Sequence, residues 1–166
     1  MKSLAFLLLV LYLGGCGNQR SAVEQPAMVE QGEAVGVNEP AQAPKDPWLY
    51  YERTACFGTC PVYKFTLNHD GKCTYEGINF VDRIGFYRGT VADSQAFVRI
   101  RNVAEQLDYF ALQESYDDSL VMDLPSYYTL IDGKGVLKRM GGPNLKALYD
   151  VIDEVIEEVS WEPSKQ

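Results

Sequence analysis

The residues best suited to chemistry in this chain are two cysteines in the segment Cys56-Phe57-Gly58-Thr59-Cys60-Pro61. A thioredoxin-like redox pair has two residues between its cysteines and stands at the start of a helix. Here three residues separate the cysteines, and a strand is expected to follow. A copper site can use the C-x-x-x-C-P pattern, but it also needs a histidine ligand. His69, the single histidine, is expected about 26 Å along that strand, too far to reach Cys60.

The spacing therefore favours a structural disulfide between Cys56 and Cys60. Pro61 disfavours helical backbone at Cys60, and Gly58 permits a tight loop. A separation of four residues can meet the Cα spacing of about 4.4–6.8 Å that a disulfide needs. Cys73 is expected to be buried and free, because it falls near the opposite end of the strand from Cys60. A redox or metal-handling protein that uses the CxxxC pair is the alternative, and thiol titration with metal analysis separates the two.

Other catalytic and metal-binding patterns are weaker. Asp117, Asp118 and Asp123 lack the spacing of an EF-hand, so they predict a solvated loop rather than a calcium site. The sequence has no G-x-S-x-G motif and no plausible base for serine catalysis. A carboxylate dyad stays open, because many acids are present and no pair is singled out. A hydrolase of that kind would need a concave pocket that holds two acids. No catalytic residue, metal ligand or cofactor is assigned.

Two groups of residues could form binding surfaces. The last helix is strongly acidic, which predicts a solvated face compensated by lysine or arginine from neighbouring elements, or a docking surface for a basic partner. Its acids are Asp150, Asp153, Glu154, Glu157, Glu158 and Glu162. Adjacent tyrosines in a strand point to opposite faces, so one ring of each adjacent pair can be exposed. The second hypothesis is an aromatic binding surface drawn from Tyr50, Tyr51, Tyr127 and Tyr128.

The elements that would position these residues begin with a hairpin. Pro61 to Leu67 favours a strand, and Asn68-His69-Asp70-Gly71 favours a type I turn whose glycine is left-handed. This loop pairs Leu67 with Cys73 and places the apolar residues of both strands on one face. A shift by one residue would mix the two faces, so the register is well specified.

The remaining segments complete an α+β pattern. A third strand is predicted near Ile84 to Val91, and the signal Ala92-Asp93-Ser94 caps a helix. Strands follow at Ser126 to Ile131 and Val136 to Met140. Gly141-Gly142-Pro143 opens the last helix, with proline at its first position. The apolar stripe of that helix is Leu145, Leu148, Ile152, Val155, Ile156 and Val159. The predicted fold is an antiparallel sheet of about five strands, in the order βββ-α-ββ-α, with two helices packed on one face.

The N-terminus is typical of an exported lipoprotein. Leu4 to Leu13 is a run of ten apolar residues, well short of the ~20 that a membrane-spanning helix needs. Leu13-Gly14-Gly15-Cys16 resembles the bacterial lipobox, in which the cysteine receives a diacylglycerol and becomes the new N-terminus. Cys16 is therefore the predicted lipidation site, and two or more acyl chains would hold the protein stably. By resemblance to Gram-negative lipoprotein sorting, Gly17 in place of aspartate implies the periplasmic side of the outer membrane rather than the inner membrane.

The composition separates a tether from a domain. Gly17 to Asp46 has no aromatic residue, Ile or Leu, so it cannot bury enough surface to offset the entropy of ordering. The predicted organisation is a signal peptide (1–15), a lipidated cysteine and flexible tether (16–47), one α+β domain (48–162) and a tail (163–166). The 166 residues have 15 Lys+Arg and 23 Asp+Glu, a net charge of −8. That charge excludes a nucleic-acid partner.

A longer pattern carries a family resemblance. It consists of Cys56-Phe57-Gly58-Thr59-Cys60-Pro61-Val62-Tyr63, Asn68-His69-Asp70-Gly71, Tyr75-Glu76-Gly77, Asp123-Leu124-Pro125 and the closing helix. Over residues 49–160 the chain resembles the bacterial family catalogued as domain of unknown function 6438, found in exported proteins that are often lipoproteins. The resemblance implies the domain limits and the exported setting, and it brings no activity, ligand or catalytic residue. The resulting prediction is a non-enzymatic envelope domain, tethered to the membrane through Cys16, that binds a protein or another envelope component.

Overall fold

The computed structural model describes residues 46–118, 120–121 and 123–164. The predicted signal peptide, Cys16 and nearly all of the predicted tether lie outside these residues. Within them the chain forms β1 (Leu49–Arg53), β2 (Val62–Leu67), β3 (Lys72–Asn79), β4 (Gly85–Thr90), α1 (Gln95–Gln106), β5 (Ser115–Tyr116), β6 (Tyr127–Ile131), β7 (Lys134–Lys138), α2 (Lys146–Glu158) and β8 (Glu162–Pro163), with a 3₁₀ turn at Tyr109–Ala111. Neither α-helix of the described part is long and apolar enough to cross a membrane.

All of these strands belong to one sheet, in the order β5-β7-β6-β1-β2-β3-β4-β8. Neighbouring strands are antiparallel except β5 and β7, which run parallel. The α+β class and the two helices are confirmed. The expected number of about five strands is wrong, because the described residues form eight, in the order ββββ-α-βββ-α-β.

The strands missing from the sequence prediction are β1, β5 and β8. Two residues, the length of β5 and of β8, cannot display the two-residue period that reveals a strand. β1 is long enough, but Glu52 and Arg53 break its apolar pattern. It nevertheless lies between β2 and β6 near the centre of the sheet. The burial of its side chains does alternate, with Leu49 and Tyr51 buried and Tyr50 half-buried. One face of β1 therefore packs against the core, as in the neighbouring strands.

The β2–β3 hairpin has the predicted register. Leu67 pairs with Cys73 and Phe65 pairs with Tyr75. The Asn68 amide donates to the Lys72 carbonyl at 2.9 Å, and Gly71 has a φ of 82°, the left-handed conformation that this loop requires. The buried residues Tyr63, Phe65, Leu67, Cys73 and Tyr75 share one face, which confirms the predicted register.

The helix starts follow local capping chemistry. The Gln95 amide at the start of α1 donates to Asp93 Oδ1 at 2.8 Å, while Ser94 makes no side-chain cap. The last helix does not open at Pro143 as predicted; α2 begins at Lys146. Gly141 and Gly142 both have positive φ values, of 72° and 65°, so neither is helical, and at the observed start the Lys146 amide donates to Asn144 Oδ1 at 3.0 Å.

Both helices contribute to a core on one face of the sheet. Tyr149 of α2 stacks on Tyr51 of β1 at 5.7 Å, and Phe97 of α1 packs on Trp48 at 4.6 Å. The predicted apolar stripe of the last helix is buried throughout: Leu145, Leu148, Ile152, Val155, Ile156 and Val159. This packing fixes α2 across the sheet and thereby places its acidic residues beside the ends of β1 and β2.

Candidate functional site

A cleft of about 260 Å³ opens where the ends of β1 and β2 meet α2 and the loop between β3 and β4. We call it the Arg53 cleft. Strands supply its floor, the β3–β4 loop supplies one wall and α2 the other. It is lined by Arg53, Pro61, Tyr63, Tyr75, Phe80, Val81, Asp82, Arg83, Asp153, Ile156 and Glu157. The lining joins two guanidinium groups, three carboxyl groups and several aromatic rings in one concave site, which is the form of a ligand pocket.

Arg53 is held in place from several sides. Its Nη1 atom donates to Asp153 Oδ2 at 3.2 Å. Its guanidinium carbon lies 5.5 Å from the ring centroid of Tyr63 and 5.2 Å from that of Tyr127, within the range of cation–π attraction. The side chain is only 20% exposed. An arginine bound by a carboxylate and two rings has little rotamer freedom left to lose when it meets a ligand.

Asp153 links the strands to α2. The Tyr63 hydroxyl donates to its Oδ1 atom, and Arg53 donates to its Oδ2 atom. Burial raises the pKa of Asp153, and it outweighs the lowering effect of the hydrogen bond from Tyr63 and of the Arg53 charge. Burial, followed by the charge of Asp153, also raises the pKa of the Tyr63 hydroxyl. The three groups form a small polar network in a partly desolvated site.

Arg83 and Glu157 close the opposite side of the cleft. Two parallel bonds of 3.1 and 2.9 Å join the Arg83 guanidinium to the Glu157 carboxylate, the bidentate geometry that arginine and carboxylate favour. The hydrogen bond from Arg83 lowers the pKa of Glu157. Because Arg83 belongs to the β3–β4 loop and Glu157 to α2, this pair ties the two walls together.

The predicted disulfide loop lies next to the cleft. Cys56 and Cys60 are bonded, with their Cα atoms 5.8 Å apart. Phe57, between them, is 94% exposed, and its amide donates to the Asp123 carbonyl at 3.1 Å. Pro61, directly after the loop, lines the cleft. The disulfide therefore fixes the chain where it enters β2 beside Tyr63.

Cys73 lies away from this site. It is a free, buried cysteine near the turn of the β2–β3 hairpin, as the register argument requires. Burial raises the pKa of its thiol to about 11, which leaves it protonated near neutral pH and poorly nucleophilic.

The four tyrosines of the predicted aromatic surface do not form one surface. Tyr51 is fully buried. Tyr127 stacks on Tyr149 at 4.5 Å on the helix side of the sheet. Tyr50 and Tyr128 lie on the opposite face, with their ring centroids 5.9 Å apart. Only Tyr50 and Tyr128 can share a ligand on the face that the helices leave uncovered.

Four acids of the last helix are paired with cations from other elements or from α2 itself. The pairs are Arg53–Asp153, Arg83–Glu157, Arg99–Glu158 and Lys146–Asp150. This confirms the expected compensation. Glu162 belongs to β8 rather than to the helix. In the loop before β6, Asp117 pairs with Arg139 at 3.3 Å. Among the residues that the structure describes, no three His, Cys, Asp or Glu side chains are arranged to hold a metal ion.

The comparison with known families decides where the chain belongs. The family described as domain of unknown function DUF6438 matches residues 47–156, which include Arg53, Tyr63 and Asp153. The chain belongs to the DUF6438 family. No curated protein and no solved structure gives a significant match. The DUF6438 match covers the described domain from β1 through most of α2.

The centre of the Arg53 cleft could not be located from the sequence, although two signals were present. Arg53 follows Leu49 and Tyr51 at two-residue spacing, so it must face the core, where a charge needs a partner. Asp153 lies between Tyr149 and Ile156 on one side of α2, at spacings of four and three residues. A charged residue within an inward-facing stripe on each of two elements predicts an ion pair, but nothing in the sequence says that these two meet.

The two α2 carboxyl groups that line the Arg53 cleft, Asp153 and Glu157, give a pH test of the site. A raised pKa in the folded state means that Asp153 stabilises the fold most at low pH and progressively less as pH rises through that pKa. A lowered pKa means that Glu157 stabilises the fold above its ordinary value of 4.5, and that this stabilisation is lost as pH falls through the folded value. The unfolding free energy of wild type minus that of Asp153→Asn should therefore decrease as pH rises. The corresponding difference for Glu157→Gln should increase.

Urea unfolding of wild type and both variants, at several pH values between about 3 and 7, measures these differences. The two variants control for each other because they replace acids one helical turn apart on α2. Differences that change with pH in the same direction would contradict the assignment of a desolvated Asp153 and an arginine-stabilised Glu157.

Proposed function

We propose that this protein is a lipid-anchored protein of the bacterial envelope whose α+β domain binds a ligand in the Arg53 cleft. The anchor is Cys16, and residues 16–47 form the tether that lifts the domain from the membrane. The bonded pair Cys56–Cys60 supports an exported setting, since disulfides persist in oxidising compartments. Gly17 after the lipidated cysteine favours the periplasmic side of the outer membrane.

The observation that carries the binding role is the fixed guanidinium of Arg53 in a concave site. An arginine held between two tyrosine rings and a carboxylate is preorganised for recognition, so a ligand need not order it. The disulfide loop and the Arg83–Glu157 pair hold the chain on either side of the cleft. A rigid cleft of mixed charge suits selective binding of a small group.

Photocrosslinking in intact cells tests this proposal. A benzoyl-phenylalanine in place of Phe80, which lines the cleft and is 50% exposed, should give a discrete adduct. The matched control places the same residue at Phe110, which is 37% exposed in the 3₁₀ turn. Cys16→Ser should move the protein from the membrane fraction to the soluble fraction and weaken the Phe80 adduct, whereas Cys73→Ala should leave it in the membrane fraction.

Two results would count against the proposal. A Cys16→Ser protein that stays in the membrane fraction contradicts the lipid anchor. Equal adducts from positions 80 and 110, or no adduct from either, contradict binding in the cleft.

A hydrolase with carboxyl catalysts is a second candidate, since the cleft holds Asp153 and Glu157 with pKa values shifted in opposite directions. Such a pair is the usual arrangement of a general acid and a base. Binding is favoured because Arg53 and Arg83 already engage these carboxyl groups. Hydrolysis of chromogenic aryl glycosides by wild type, lost in Asp153→Asn, would favour the hydrolase.

A further inference from the structure

In the Arg53 cleft, the described residues use only part of the Arg53 guanidinium. Arg53 bonds through Nη1 alone, and its Nε and Nη2 atoms make no hydrogen bond with any described residue. These two nitrogens form one edge of the guanidinium, with two parallel N–H groups that match the two oxygens of a carboxylate or a phosphate. Since the side chain lines the cleft and is mostly buried, this edge, which no described residue fills, is left for an acidic group.

The charges around that edge disfavour a ligand that is only an anion. The cleft lining has two guanidinium groups and three carboxyl groups, and the whole chain has a net charge of −8. A simple anion would approach against this field. Asp82 in the β3–β4 loop makes no hydrogen bond or ion pair with any described residue, so its carboxylate can accept an amine.

The size and walls of the cleft limit the rest of the ligand. A volume of about 260 Å³ is below the range of roughly 300–1,000 Å³ that holds a drug-sized molecule. Tyr75, Phe80 and Val81 supply aromatic and apolar walls in the same cleft as Arg53 and Asp82. These walls suit a short side chain attached to the charged groups.

Resting on the proposed role of the cleft as a binding site, we infer that its ligand is a small zwitterion, an amino acid or a dipeptide, that carries both a carboxylate and an amine. The Nε–Nη2 edge of Arg53 binds the carboxylate. Asp82 accepts the amine. The side chain lies against Phe80 and Val81.

Calorimetric titration of the full-length protein in detergent tests the inference with defined probes. Alanyl-alanine should bind. Comparing its affinity with that of alanine shows whether the preferred ligand is a dipeptide or a free amino acid. Alanyl-alanine amide, which lacks the carboxylate, and N-acetyl-alanyl-alanine, which lacks the amine, should each bind at least about tenfold more weakly, the loss of one charge-assisted contact. Inorganic phosphate and acetate should bind no better than these blocked peptides.

Matched arginine variants locate the contact. Arg53→Lys keeps the charge but removes the Nε–Nη2 edge, so it should weaken alanyl-alanine binding at least about tenfold. Arg101→Lys is the control, because Arg101 also pairs with an aspartate, Asp132, and lies over a ring, Phe110, outside the cleft. Its affinity should equal that of wild type.

A variant on the exposed loop keeps the test decisive if Arg53→Lys does not fold. Asp82→Asn should lower the affinity for alanyl-alanine to that for N-acetyl-alanyl-alanine. Its affinity for the N-acetyl peptide should equal that of wild type. Phosphate binding as tightly as alanyl-alanine, or full affinity in both Arg53→Lys and Asp82→Asn, overturns the inference. Absence of dipeptide binding also overturns the inference. If position 80 still gives an adduct in cells, the proposed function stands without the inference. If neither dipeptide binding nor the adduct is found, the proposed function is overturned as well.

Discussion

Replacing Gly77 with alanine is expected to destabilise the domain by about 3 kcal/mol or more, because the new methyl group has no space. A Cβ atom at position 77 would lie 1.7 Å from the Arg83 carbonyl oxygen and 2.8 Å from its carbonyl carbon. Both are backbone atoms, so no side-chain rotation can relieve the clash. Relief would require the β3–β4 loop to move, and with it Arg83 and its bond to α2.

Thermal and urea unfolding of Gly77→Ala measure this effect. Gly58→Ala in the disulfide loop is the matched control: its Cβ would meet only Cys56 Sγ, at an ordinary 3.7 Å. That variant should be neutral or more stable by up to about 1 kcal/mol, since alanine restricts the unfolded chain. A Gly77→Ala protein within about 1 kcal/mol of wild type would contradict the close approach of the loop to β3.

Two fully buried tyrosines should respond in opposite ways to loss of the hydroxyl group. Tyr51 Oη is buried and has no hydrogen-bond partner among the described residues. Tyr109 Oη donates to the Thr129 carbonyl at 2.8 Å and lies 2.8 Å from Thr129 Oγ1. An unpartnered buried hydroxyl is a desolvation cost, whereas a satisfied one contributes stability. Tyr51→Phe should therefore raise the free energy of unfolding by about 1–2 kcal/mol, and Tyr109→Phe should lower it by about 1–3 kcal/mol.

Denaturant unfolding of the two single variants and the double variant checks this prediction. Both substitutions keep the ring and its volume, so each variant is a size-matched control for the other. Destabilisation by Tyr51→Phe comparable to that by Tyr109→Phe would show that the Tyr51 hydroxyl has a partner. That partner would be a buried water, or a group reached from a different position of the Tyr51 ring.

The parts of the fold that the sequence predicted are those governed by local chemistry and a single buried face. The register of the β2–β3 hairpin followed from Gly71 and the alternation of apolar residues. The stripe of α2 followed from its helical period. The need for cations near its acids followed from the helix dipole, although the sequence could not say which arginine meets which acid.

The candidate site depended on contacts that are remote along the chain. Arg53 and Asp153 are 100 residues apart, and their meeting depends on where α2 crosses the sheet. β1 was missed because the charges of Glu52 and Arg53 interrupt its apolar pattern, although Arg53 is the residue that brings the strand into the cleft. Positions whose charge conflicts with local patterning are where functional sites are expected.

The central place of β1 has a mechanical consequence when the domain is pulled from its N-terminal side. The chain enters the sheet through Leu49, in a strand with five paired positions to β2 on one side and five to β6 on the other. A pull along the preceding chain must shear both ladders together, instead of peeling an edge strand one bond at a time. Forced extension should therefore meet its resistance at the first strand, before the helices are exposed.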